Sequence, residues 1–127
     1  MTAPRARILV IDDEPVICRC CLRILEAEGY SVEATTVPAE GLDKVRRSAE
    51  GGFDVVITDL KMPAIDGLEV LRRVKATAPN CRVIVITGYA TATTGAEALR
   101  AGAFDYLPKP FSPDELLAAV SRALAGG

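Results

Sequence analysis

Five short apolar runs, rich in β-branched residues, recur along the chain: ARILVI at 6 to 11, YSVEA at 30 to 34, FDVVIT at 53 to 58, RVIVIT at 82 to 87 and FDYL at 104 to 107. They are spaced roughly 20 to 28 residues apart, room for one helix and two turns each time. A parallel strand pair needs a crossover of that length. The pattern therefore predicts a doubly wound α/β sandwich, (βα)5, with a five-stranded parallel sheet between two layers of helices. No linker composition interrupts it, so one domain over 1–127 with no output module of its own is expected.

The intervals carry helix signals. Pro15 suits a first turn and is followed by Ile17, Cys21, Ile24 and Leu25 at helical spacing, with Gly29 as the stop. After Pro38 the set Leu42, Val45 and Ala49 repeats the pattern and ends near Gly51 and Gly52. Asp66 is placed to cap a third helix with Leu68, Leu71 and Val74 inward, closing before Pro79. A fourth, weaker helix is expected from about Thr93 to Ala101, because Gly95 lies inside it. Ser112, Pro113 and Glu115 form a capping-box start for the last helix, with Leu116, Leu117, Val120 and Leu124 expected to face inward.

Composition removes several function classes. The chain contains no histidine, which excludes a Ser/His/Asp triad, His-ligated zinc and a phosphohistidine of its own. With 15 basic and 17 acidic residues there is no basic surplus to hold a phosphate backbone, so direct nucleic-acid binding is disfavoured. No apolar run approaches the roughly 20 residues of a membrane span, and the N-terminus lacks a signal-peptide pattern; a soluble, intracellular protein without membrane contact is expected. Cys18, Cys20 and Cys21 cluster in the first helical stretch, but Cys20 points away from the other two, so they are read as reduced thiols and small hydrophobes rather than a metal site.

In an open parallel sheet, ligands bind beyond the carboxyl ends of the strands, where the strand order reverses. The first run ends in Asp12 and Asp13, the third in Asp59 and the fourth in Thr87, while Lys109 follows the fifth. Three acids crowded on one rim repel each other unless a cation sits among them. Oxygen ligands with few protein donors suit Mg²⁺, with Mn²⁺ able to substitute. Asp59, the single acid at the end of a central strand, is then the candidate nucleophile toward phosphorus, with Lys109 and Thr87 holding the equatorial oxygens. The turn at Lys61, Met62 and Pro63 is expected to expose it.

The segments VIDDEP at 10 to 15, ITDLKMPAIDGLEVL at 57 to 71, VITGYA at 85 to 90 and FDYLPKPF at 104 to 111 resemble the receiver domain of bacterial two-component response regulators, most closely the nitrogen-regulator subfamily. The resemblance implies a flavodoxin-like fold of strand order 2-1-3-4-5 and a cis bond between Lys109 and Pro110. It implies a phosphoryl group received by Asp59 from a sensor histidine kinase or histidine phosphotransfer protein in a Mg²⁺-dependent reaction. Asp13 would be the direct metal ligand and Asp12 a water-mediated one, with Asp59 and the Lys61 main-chain carbonyl completing the protein's share. Thr87 and Tyr106 would form a switch pair that moves the surface of the fourth helix, fifth strand and fifth helix toward a downstream effector, an output domain or a phosphorylation-dependent homodimer. Lys61 and Tyr89, each two residues beyond a site residue, would tune the lifetime of the acyl phosphate. A cytoplasmic protein is implied.

Plainer readings stand beside these. Asp12 and Asp13 would serve as loop and cap residues, Asp59 as a turn former, Lys109 as a solvated lysine and Tyr106 as packing. Asp66 and Gly67 are read as helix entry and turn, not chemistry. For the whole chain the alternatives are a receiver-like scaffold independent of phosphorylation, and a flavodoxin-like cofactor binder whose hydroxyl-rich loop would be TGYATATTG at 87 to 95. A nucleotide-using kinase or phosphatase is disfavoured, since the chain has neither a GxxxxGK[ST] nor a GxGxxG loop.

Overall fold

The computed structural model describes residues 6–48, 52–63, 65–88 and 91–126. Among these, strands and helices alternate throughout: β1 Arg7–Ile11, α1 Pro15–Ala27, β2 Ser31–Thr35, α2 Pro38–Arg47, β3 Val55–Asp59, α3 Gly67–Thr77, β4 Arg82–Thr87, α4 Ala92–Arg100, β5 Asp105–Pro108 and α5 Pro113–Ala125. All strand pairs are parallel, and the sheet order is β2-β1-β3-β4-β5. The order turns back between β1 and β3, which locates the ligand crevice at their carboxyl ends.

The central strands are buried on both faces, which is why their sequences read as continuous apolar runs rather than alternating ones. Ile8, Val10, Val55, Ile57, Ile84 and Ile86 pack on one side against Cys18, Cys21 and Leu25 of α1 and Leu116 and Val120 of α5. Leu9, Ile11, Val56, Val83 and Val85 pack on the other against Val45 of α2, Val70, Leu71 and Val74 of α3, and Ala98 of α4. Most of these side chains have no solvent contact, so truncating one, as in Leu71→Ala, carries the usual cost of about 2–5 kcal/mol.

The helix ends follow the local chemistry. Gly29 adopts φ 91°, the left-handed conformation that stops α1, as its position foretold. The Asp66 side chain accepts from the Leu68 main chain, and Ser112 and Glu115 form the foreseen capping box. Helix α4 starts earlier than expected, because Thr91 and Thr94 make a second capping box that offsets the poor propensity of its first turn. Two expectations need correction. Leu124 is exposed, and Ala123 faces the core in its place with 2% exposure, because Leu116, Ala119, Val120 and Ala123 make up the inward face of α5 and Leu124 falls at its edge. Helix α2 stops at Arg47, ahead of the glycine pair; Ala49, Gly51 and Tyr89 lie outside the described residues.

The bond between Lys109 and Pro110 is cis. Cys18, Cys21 and Cys81 are buried and Cys20 is exposed, all with free thiols. Burial pushes the Cys21 thiol up to about 12 and the Cys81 thiol to about 11, so both are inert hydrophobes at neutral pH. Among the described residues no helix is long and apolar enough to cross a membrane.

Candidate functional site

Two carboxylates are set into the sheet at its turning point. Asp12 leaves β1 fully buried; its main-chain N–H donates to the Thr35 carbonyl at 3.2 Å, and the Cys18 thiol donates to its carbonyl at 3.3 Å. Its Oδ1 accepts from the Glu14 main-chain N–H at 2.8 Å. Asp59 is the last residue of β3 and only 4% exposed, with Oδ1 accepting from the Lys61 main-chain N–H at 3.2 Å. Asp59 is thus buried at the end of β3 instead of standing out at the rim as expected. The turn that follows folds its own backbone donor back onto the carboxylate.

Lys109 joins them. Its main-chain N–H donates to the Thr87 carbonyl at 2.8 Å, which fixes the backbone beside the end of β4. Its ammonium donates to Glu14 Oε1 at 2.8 Å and Asp59 Oδ2 at 3.0 Å, and lies 2.9 Å from Asp12 Oδ2. Burial works to lower the Lys109 pKa, but the attraction of the Glu14, Asp12 and Asp59 carboxylates outweighs it, and the ammonium is held above its ordinary value. Burial raises the Asp12 pKa despite the Glu14 N–H and the Lys109 charge, so this carboxylate is ionised at a cost.

Asp12 Oδ2 is also buried without an aligned hydrogen-bond donor: the Lys109 ammonium is close enough for charge attraction but off the hydrogen-bonding direction. A buried carboxylate oxygen with lone pairs to spare is the kind of donor a hard cation uses. One carboxylate oxygen each from Asp12, Glu14 and Asp59 lie within 4.8 Å of one another, so the donor set fits a cation.

The third member of this group is Glu14, which the sequence reading did not single out. The chain is still extended at Glu14, with φ −93° and ψ 110°, so side chains two apart share a side: Asp12 and Glu14 meet Lys109, and Asp13 does not. Asp13 instead lines a neighbouring crevice of about 460 Å³ with Leu60, Lys61, Met62, Pro63 and Asp66. The signal that would have found Glu14 is this alternation, one residue before the helix-opening proline.

Thr87 ends β4 and is fully buried. Tyr106 is half-buried; its hydroxyl donates to the Thr91 carbonyl at 3.1 Å and lies 3.3 Å from Thr94 Oγ1, the two residues that cap α4. The hydroxyl-rich stretch weighed as a cofactor loop thus spends Thr91 and Thr94 on a helix cap. Lys61 is exposed at the crevice.

Comparison with known proteins agrees with this geometry. Residues 8–121 match the response regulator receiver domain family. The transcriptional regulatory protein ZraR of Klebsiella oxytoca is 37% identical over 125 residues, covering 98% of this chain but 28% of that protein, so the chain spans about a quarter of that curated relative. A response regulator from Burkholderia pseudomallei, solved with a phosphorylated aspartic acid, calcium ion and citrate, is 33% identical with a TM-score of 0.82 over 95% of this chain and 70% of its own. The beryllofluoride-activated NtrC4 receiver domain dimer is 34% identical with a TM-score of 0.87, covering 94% of this chain and 97% of that one. With the parallel sheet turning back above a buried Asp–Lys–Asp contact and a family match over nearly its whole length, the chain belongs to the response regulator receiver domains, with nitrogen-regulator receivers among its relatives.

Proposed function

We propose that this domain takes a phosphoryl group onto Asp59 from the phosphohistidine of a sensor histidine kinase or histidine phosphotransfer protein in the cytoplasm. The observation that carries the reading is the Asp59 carboxylate: one oxygen on a backbone N–H, the other on a lysine that also pairs with Asp12, at the carboxyl end of a central strand. An Asp59 oxygen attacks phosphorus while the bond from phosphorus to the imidazole nitrogen breaks, its electron pair staying on that nitrogen. The Lys109 ammonium and the Thr87 hydroxyl receive the equatorial oxygens, where negative charge is spread in the transition state. Hydrolysis by water returns the Asp59 carboxylate and inorganic phosphate, at a rate that Lys61 and Tyr89 would tune.

The cation in this reading is Mg²⁺, with Mn²⁺ as a substitute. Asp13 would bind it directly, Asp12 through water, and Asp59 and the Lys61 carbonyl would complete the protein's share. The shared crevice of Asp13 and Lys61 and the spare lone pairs on Asp12 support that set. When bound, the ion neutralises carboxylate charge and polarises the transferring phosphoryl group. The Burkholderia pseudomallei regulator, which carries a phosphorylated aspartic acid together with a calcium ion, supports both assignments.

Intact mass after incubation with acetyl phosphate and Mg²⁺ tests the proposal. One added phosphoryl group is expected, absent in Asp59→Ala and strongly reduced with chelator. Addition to Asp59→Ala, or none to the native protein, refutes it.

The phosphoryl charge is read out, in this proposal, at α4, β5 and α5 by an effector, an output domain or a second copy. Tyr106 is the link, since its hydroxyl is bonded to both residues of the capping box that starts α4. Tyr106→Phe removes bonds of about 0.5–1.5 kcal/mol each while keeping the ring. Phosphoryl uptake should stay within about twofold, while the change in amide exchange over 91–100 on adding beryllofluoride should shrink. An undiminished change would show that the hydroxyl has no part in the switch.

A further inference from the structure

We infer that Glu14 is a placeholder: at rest its carboxylate occupies the face of the Lys109 ammonium that a phosphoryl oxygen takes later, and the donor must displace it. This rests on the phosphoacceptor reading above. Three carboxylates share one ammonium, and they differ in freedom. Asp12 and Asp59 are 0% and 4% exposed and tied by backbone donors, so neither moves away cheaply. The Glu14 side chain is 53% exposed on a flexible stem, and its bond to Nζ, at 2.8 Å, is no longer than the contacts to the buried pair.

An ammonium has three protons to give. At rest Glu14 and Asp59 accept two of them and Asp12 Oδ2 crowds the ammonium at 2.9 Å, so an incoming phosphoryl oxygen gains full access to Lys109 only when one of these carboxylates gives way. Glu14 is the acceptor that water can receive. Its charge also repels an anionic donor at the mouth of the site, over a distance short against the roughly 10 Å reach of electrostatics at moderate salt. Glu14 is accordingly a positioning residue: it keeps the Lys109 chain aimed at the crevice before phosphorylation and sets how readily an anion enters.

The test compares Glu14→Gln with the native protein at saturating Mg²⁺, alongside Asp59→Ala. Glutamine keeps the size of the side chain and removes its charge. The apparent KM for acetyl phosphate is expected to fall roughly three- to tenfold, with the difference shrinking as salt rises. Beryllofluoride should bind the variant more tightly by a similar factor, a readout a merely structural role would not move. An unchanged or raised KM overturns the inference, as does calorimetry showing weaker Mg²⁺ binding in Glu14→Gln, which would make Glu14 a cation ligand instead. If the native protein takes up phosphate at Asp59 and Glu14→Gln matches it throughout, only this inference fails; if the native protein takes up none, the underlying reading fails with it.

Discussion

Replacing Lys109 by Met is expected to slow phosphoryl uptake at Asp59 about a hundredfold, the low end for removing one electrostatic donor, since the Lys61 N–H still supports the carboxylate. Methionine keeps the length and most of the volume, so the loss reports the charge. Arginine should not restore the rate: its planar fork cannot aim at Glu14, Asp12 and Asp59 together as a rotating ammonium does. The same change leaves Asp12 and Asp59 buried without their cation. Breaking a buried pair typically costs about 3–5 kcal/mol. The lower end applies here, since 12% of the Lys109 side chain meets solvent and water can reach the gap. A second cation should compensate, so millimolar Mg²⁺ is expected to raise the melting temperature of Lys109→Met more than that of the native protein. Equal shifts would mean that metal and lysine do not share the carboxylates. A near-native uptake rate would remove Lys109 from the chemistry.

The strands and the residues at their carboxyl ends were legible because the same physics writes both, whereas the sheet order came with the resemblance to receiver domains. A strand buried on both faces must be apolar along its length, so a carboxylate at its end stands out, and Asp12, Asp59 and Thr87 are all found there. Finer choices depended on facts that hydrophobicity does not encode. Ala123 takes the core position and Leu124 does not, because the rotation of α5 about its own axis, not apolarity, decides which residues face the sheet. Glu14 reads as an ordinary residue before a helix until the extended backbone at that position turns it onto Lys109. The bonds from Tyr106 to Thr91 and Thr94 cross between β5 and α4, a pairing that no local pattern signals.

Gly67 shows how far the site reaches into the scaffold. Read from sequence it is a turn residue at the start of α3, yet its main chain lies directly against the strand end that carries Asp59, with its N–H donating to the Leu60 carbonyl at 2.9 Å. A Cβ added there would run into the Asp59 main-chain oxygen and come within 2.6 Å of the Leu60 oxygen. Both are backbone atoms at the end of β3 and cannot step aside as a side chain would. Gly67→Ala is therefore expected to cost more than about 3 kcal/mol, beyond the usual range for overpacking, and to lower the melting temperature by on the order of 10 °C. Whatever relief occurs moves Asp59 or Leu60, so phosphoryl uptake should fall even at temperatures where the variant is folded, in keeping with the sensitivity of catalysis to displacements of about 1 Å. Gly88, on the other side of the rim, supplies the control: a Cβ there meets nothing within 4 Å, and Gly88→Ala should stay within about 1 kcal/mol of native. If the two variants melt together, close contact between α3 and β3 is not what requires glycine at 67. If Gly67→Ala melts early but takes up phosphate at the native rate, the position of the Asp59 main chain matters less to the reaction than its carboxylate bonds.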